Sequence, residues 1–438
     1  MIEIDSKAKE AKQILLYEMA RRQTGILLVV MMSIFSLVNG VWQFVPTLWT
    51  GIVWSLQNAT GPTELKGFLS AVESNLGGDL LGKNQFIEFY AFMEKLQGKE
   101  ESDNFWAVKN KAGDIMYSNF YPDNVDSLGE CVRRIWRLKQ TVAQTGTKVF
   151  FVMPPTLYIR GKEDFSPGLP YGDYNYREDT FLYWLDQFGI DNLDLRESLK
   201  DNNIAPEDYF FHTDHHWRLE TSFAAFGDIV AWLDETFGVD LDPDRFYTDI
   251  SNYYQRTYEN ASLGSFGRKT GIIFSGLDDF TVLWPKFDDQ TDFTYYPRFL
   301  LPYSQPISGP FTESLLYPRL ISTENPYIND FYGVYQSGIK SHEKIINNKN
   351  PDLPKMLLIR DSFSLPLGVF MAPLFSQIDC IWPANSDNFF FDIDAYLQEN
   401  HFDFIMIEMY QENLITKNFY YNPNSLPNEP FSGGMEQE

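Results

Sequence analysis

Three of the five histidines in the chain fall within five residues, His212, His215 and His216, in the string Phe-Phe-His-Thr-Asp-His-His-Trp-Arg-Leu-Glu. An Asp-x-His element in a loop can set its carboxylate against the Nδ1 of the histidine, which fixes the tautomer and leaves Nε2 free as a base. Asp214 and His216 have that spacing. The alternative is that Asp214 caps the helix that follows. A nucleophile for such a base is offered by Ser362, which comes directly after the apolar run Lys355-Met356-Leu357-Leu358-Ile359-Arg360 and Asp361. A serine at a strand-to-helix turn is exposed, and its own N–H can help hold a developing oxyanion. Asp214, His216 and Ser362 together predict acyl chemistry through a catalytic triad.

The elements needed to position these residues are legible on both sides of them. Leu219, Phe223, Phe226, Val230, Leu233 and Phe237 step by four and three, and Gly238 ends the run, so the histidine cluster stands before a buried helix. Val149 to Met153, Leu193 to Leu195, Met356 to Ile359, Ile378 to Trp382 and Phe404 to Met409 are short apolar runs of the kind buried on both faces of a parallel sheet. Helices are expected between them: Ser127 with Glu130 reads as a capping box opening a helix through Val142, with Gly146 ending the run, another covers 176–187, and a crossover helix runs from Ile393 to Asn400. A helix and a hairpin around Lys111 to Asp114 are expected over residues 85–120. Strands alternating with helices predict an α/β fold with a doubly wound, mostly parallel sheet whose ligand sites lie beyond the carboxyl ends of its strands. Residues 245–350, rich in Tyr, Phe, Pro, Asn and Ser, read as an insertion of short strands and loops. Most of their aromatic side chains are expected in its core.

No Asp, Glu, Lys or Arg occurs from Gln23 to Thr63, and Thr24 to Pro46 is almost wholly apolar. That is enough to span a bilayer as one helix. Lys7, Lys9, Lys12, Arg21 and Arg22 precede it, and the positive-inside rule then keeps residues 1–23 cytoplasmic and sends the remainder outward. A cleaved signal peptide is the rival, but no small-residue cleavage site follows, and Trp42, Trp49 and Trp54 suit a membrane interface. The expected order is a cytoplasmic segment (1–23), a transmembrane helix (24–46), a juxtamembrane helical segment (47–100), a catalytic domain (101–425) and a tail (426–438).

Thirty-five basic against 60 acidic residues give a net charge of −25. Nucleic acid is excluded as a partner, and a neutral or partly cationic glycan suits this surface better than a polyuronate. The two cysteines, Cys131 and Cys380, rule out a disulfide framework and read as buried thiols, with a single bridge between them as the alternative. A zinc site on His212, His215, His216 and Asp214 is a competing reading, although three ligands so close in sequence rarely converge on one ion. No cofactor is called for.

The strings Asp214-His215-His216-Trp217 and Arg360-Asp361-Ser362-Phe363-Ser364, in that order behind one N-terminal span, resemble those of DHHW family proteins, which are similar to the SGNH-hydrolase-like proteins that O-acetylate alginate and other bacterial exopolysaccharides. The resemblance covers roughly residues 100–425. It implies an SGNH-like fold with the Asp-x-His pair ahead of the serine. It also implies a polysaccharide acceptor and an acetyl donor, supplied in such systems by a membrane-bound O-acyltransferase. Ordinary SGNH hydrolases carry Gly before Asp-Ser, where this chain has Arg360. Asn385, in Trp-Pro-Ala-Asn-Ser-Asp, is the candidate oxyanion donor, with Arg360 and Tyr410 as further substrate or oxyanion candidates and Glu412 at the border of the site. A non-catalytic glycan-binding or assembly protein of the same fold is the alternative function.

Overall fold

The computed structural model describes residues 82–118, 125, 127–159, 164–169, 172, 174–202, 204–301, 304–329, 331–383 and 392–419, with 34 and 37. The chain divides into Met1–Ile87 and Glu88–Glu438, and the sheet and the site belong wholly to the second unit. No helix among the described residues is long and apolar enough to cross a membrane. Apart from residues 34 and 37, the stretch from Thr24 to Pro46, on which the expected anchor rests, lies outside the described residues, as do 1–23, 47–81 and the tail from 420 onward.

In chain order the principal elements are α1 (Lys83–Leu96), β1 (Glu101–Ser102), β2 (Ala107–Lys109), β3 (Ile115–Tyr117), α2 (Leu128–Thr141), β4 (Lys148–Met153), α3 (Tyr174–Gln187), β5 (Asp191–Asp194), α4 (Leu219–Phe237), β6 (Tyr253–Ser262), α5 (Ser265–Thr270), β7 (Asp278–Pro285), β8 (Phe293–Pro297), β9 (Ile307–Gly309), β10 (His342–Asn347), β11 (Lys355–Arg360), α6 (Ser364–Met371), β12 (Gln377–Ile381), α7 (Ile393–Glu399) and β13 (Phe404–Glu408). The strands and helices expected from residue 85 onward are present within a few residues at either end. One local expectation is corrected: Ser127 makes no side-chain cap, since its backbone already lies in the helical region at φ −85° and ψ −9°, and Glu130 pairs with Arg133 and Arg134 instead.

The main sheet has eight strands in the order β5-β4-β13-β11-β12-β10-β8-β9. The first five run parallel, while β10, β8 and β9 join antiparallel. The sheet is therefore mixed, and what looked like a separate insertion supplies three of its strands. The half-polar sequences of β8 and β9 hid this, since an edge needs only one apolar face.

Alternation along the parallel strands separates two cores. Phe150, Val152, Met356, Leu358, Cys380, Phe404 and Met406 face α4 and α6. Val149, Phe151, Met153, Leu357, Ile359, Ile405 and Ile407 face α2, α3 and α7. Burial on both faces explains the unbroken apolar runs. Cys131 and Cys380 belong to these opposite cores and are both free and buried; burial pushes each thiol up to about 12.

Candidate active site

The nucleophile turn is built from the end of β11. Asp361 is fully buried, and its carboxylate accepts N–H bonds from Phe363 (2.9 Å), Tyr410 (2.7 Å) and the Asn413 side chain (2.7 Å). Three donors on one carboxylate lock the turn between β11 and α6 and tie it to the end of β13. Ser362, next in the chain, remains only partly buried, at the carboxyl edge of the parallel strands.

The base comes from the loop before α4. Phe210 and Trp217 pair across its neck, and Arg218 N–H donates to Tyr209 O at 2.8 Å. Inside it, Asp278 accepts from the backbone N–H of His212 and from both the N–H and hydroxyl of Thr213. Thr213 O in turn accepts N–H bonds from Phe266 and Gly267. This buried network presents Asp214 and His216 to the turn that carries Ser362. The Trp217 ring, fully buried, donates its N–H to Phe363 O at 3.1 Å, joining the base loop to the nucleophile turn. Truncating a ring so buried costs on the order of 3–5 kcal/mol, so this joint is a firm one.

The three predicted residues meet. His216 Nδ1 lies 2.6 Å from Asp214 Oδ1, and His216 Nε2 lies 2.8 Å from Ser362 Oγ. Burial would raise the Asp214 carboxyl, but the neighbouring His216 imidazole and the hydrogen bonds from His216 and Ser265 outweigh it and hold the group well below the usual carboxylate range. An ionised carboxylate can only accept, so the proton sits on Nδ1 and Nε2 is left to accept from the serine. Asp214 does not cap α4: its two oxygens take the backbone N–H groups of His216 (3.1 Å) and of Ser265 at the start of α5 (2.6 Å). Arg218 stands at the start of α4 without a side-chain cap.

Gly264, just before α5, permits this approach. A Cβ there would fall 2.4 Å from both Asp214 Cβ and Thr213 O. Gly264→Ala is therefore expected to push Asp214 off His216, destabilising the fold by about 1–3 kcal/mol and lowering activity by more than that loss of folded protein explains. Thermal melting and turnover measured side by side on the purified variant test it, and unchanged turnover would contradict it.

The remaining candidates fare differently. Asn385 lies outside the described residues. Arg360 does not face the site: it is 0 % exposed, ion-paired with Glu343, and bonded to Gln336 Oε1 at 3.1 Å. Its side chain follows the even-numbered residues of β11 into the core against α6, so the sequence proximity to Ser362 misled. Tyr410 is buried and stacks flat on Phe363, the residue after Ser362, with ring centroids 4.4 Å apart. Glu412 is exposed. His212 leaves the other histidines to meet Asp114 of the hairpin at 2.5 Å, and that hydrogen bond raises its pKa against the opposing effect of burial.

Asp214, His215 and His216 bring ligand-type atoms within 4.8 Å of one another. Both nitrogens of His216 and both oxygens of Asp214 are already engaged in the bonds above. Only His215 keeps a ring nitrogen with no hydrogen-bond partner found among the described residues, and its Nδ1 lies 3.1 Å from Ser265 Oγ. The donor set fits a triad better than an ion.

Sequence reasoning missed Asp278, Gly264 and Asn413. Asn413 stands beside Tyr410 and Glu412, which were singled out instead. The other two lie in the aromatic-rich region, where no periodicity marks one residue above another.

Residues 119–257 match the family model of the SGNH hydrolase-like domain, acetyltransferase AlgX. The chain is similar to the DHHW and SGNH-hydrolase-like proteins. PatB1 of Bacillus cereus is 16 % identical with a TM-score of 0.55, over 72 % of this chain and 99 % of that one. A second PatB1 structure carries a sulfonyl adduct, at 15 % identity and a TM-score of 0.54. A DHHW family protein from Eubacterium siraeum is 17 % identical with a TM-score of 0.52, over 74 % of this chain and 96 % of that one. At these identities the likeness is one of fold, an SGNH-like α/β fold. No curated protein matches the chain.

Proposed function

We propose that this protein is a membrane-anchored, extracytoplasmic serine enzyme that transfers or removes acyl groups, acetyl above all, on a carbohydrate. The observation that carries the proposal is the pair of distances at His216, 2.6 Å to Asp214 and 2.8 Å to Ser362, at the open edge of an SGNH-like sheet.

His216 Nε2 takes the Ser362 proton as Oγ attacks the acyl carbon of the donor. Asp214 steadies the resulting imidazolium through Nδ1–H. The imidazolium then gives its proton to the departing group, and an acyl-Ser362 ester remains. A sugar hydroxyl or water, deprotonated by His216, attacks that ester, and Ser362 recovers its proton as the acyl group leaves. The Ser362 N–H, at the turn into α6, is positioned in sequence to donate to the oxyanion, with Asn385 as the candidate second donor.

The match to the SGNH hydrolase-like acetyltransferase family model over 119–257 supports acetyl as the group moved, and the resemblance of the Asp214-His215-His216-Trp217 string to the DHHW proteins supports carbohydrate as the acceptor. The charge-free stretch before Glu64 supports the anchor and the outward-facing domain. A membrane-bound O-acyltransferase is the proposed source of acetyl groups, and a neutral or partly cationic polysaccharide the proposed acceptor.

One triad serves both transfer and hydrolysis, and only exclusion of water and affinity for the sugar separate them. Supplying an activated acetyl ester with and without oligosaccharide tests the reading. Acetylated sugar marks a transferase and free acetate alone an esterase, while neither product, from folded protein, would overturn the proposal.

A further inference from the structure

The imidazole of His216 is held from directions that a triad does not require. Tyr332 lies over it with ring centroids 4.0 Å apart and planes 18° from parallel. His215 lies 3.9 Å away at 35°. Two rings this close to a third at such low tilts would interpenetrate on one side of it, so they occupy its opposite faces.

Both outer rings are themselves fixed. The Tyr332 hydroxyl donates to Phe363 O at 3.2 Å, the same carbonyl that accepts from Trp217. His215 Nδ1 lies 3.1 Å from Ser265 Oγ and 3.2 Å from Asp214 Oδ1. Phe363 and Tyr410 also stand near His215, with ring centroids 6.0 and 6.1 Å away.

The bonds at Nδ1 and Nε2 hold the two nitrogens at 2.6 and 2.8 Å from their partners, but each is a single contact at the ring's rim, and rotation about the Cβ–Cγ bond is opposed by nothing else in the triad. Walls on both faces stop that rotation. They also change the charge balance: a phenol face attracts the imidazolium formed during the reaction. Burial pushes His215 down to about 3, so it remains neutral and adds no opposing charge.

We propose that Tyr332 and His215 clamp the catalytic imidazole between them, with Tyr332 acting as a positioning residue through its ring face. The proposal rests on the triad reading. Tyr332 is not part of the Asp-x-His or Asp-Ser strings, and nothing in the order of the triad calls for it.

The test uses the full-length protein and the rate at which phenylmethylsulfonyl fluoride modifies Ser362, read by mass spectrometry, with thermal melting as the check on folding. Tyr332→Leu is expected to slow the modification about tenfold. Tyr332→Phe, which keeps the ring and loses only the hydroxyl, is expected to stay within about twofold of the parent protein. The low-field proton resonance of His216 Nδ1–H should persist in the phenylalanine variant and broaden in the leucine variant. If Tyr332→Leu unfolds, His215→Leu against His215→Phe poses the same question on the other face, with the same order of rates expected. Equal rates in the leucine variants and the parent would overturn the clamp, as would a phenylalanine variant as slow as the leucine one. Modification of the parent no faster than of Ser362→Ala would sink the triad reading itself, and the two failures are thus told apart.

Discussion

Ser362→Ala is expected to lower turnover by about 10⁴-fold or more while leaving the fold intact, since loss of a triad nucleophile costs that much or more elsewhere. The hydroxyl is only partly buried, and the structure around it is held by Asp361, whose three N–H donors are untouched by the change. Combining it with His216→Ala should cost little further, because the two groups act as one unit. The comparison is made on turnover of an activated acetyl ester. A Ser362→Ala protein that still acetylates polysaccharide at the parent rate would instead favour the non-catalytic assembly or glycan-binding role.

Asp214→Asn is expected to cost on the order of 10⁴-fold in turnover with little change in stability. Asp214 receives backbone N–H groups from His216 and Ser265 and the Nδ1–H of His216. An asparagine there has one acceptor oxygen, and the Ser265 N–H at 2.6 Å draws it to that side. The amide NH₂ then faces Nδ1, which must lose its proton to accept. The tautomer inverts, Nε2 carries hydrogen, and Ser362 has no base. Parallel thermal melting and turnover measure this, and a variant with near-parent activity would show that the carboxylate does not set the tautomer.

The parts of the site that could be read from the chain are those governed by short-range rules. Met356 to Ile359 announced a strand buried on both faces, and Gly238 announced the end of α4, where it sits in the left-handed region at φ 66°. Asp214, His216 and Ser362 were found because they lie at junctions between such elements. What escaped depends on long-range pairing. Asp278 supports the base loop from 65 residues away, and Gly264 is needed only because Asp214 happens to pack over it.

Arg360 shows the opposite error. Adjacent to Ser362 in sequence, it sits on the strand face that points into the core, where Glu343 neutralises it. Period-two alternation carried one residue further along β11 would have placed it there. The antiparallel strands β8, β9 and β10 were read as part of a separate insertion for another reason, since nothing in their short, polar-rich sequences shows which sheet they extend.

The most direct measurement is to quench the full-length protein during turnover of an acetyl ester and map the acetyl group by peptide mass spectrometry. Acetyl on the peptide containing Ser362, absent in His216→Ala, is the predicted result. Acetyl on His215 or another side chain, or turnover with no acetylated protein at any quench time, would contradict it.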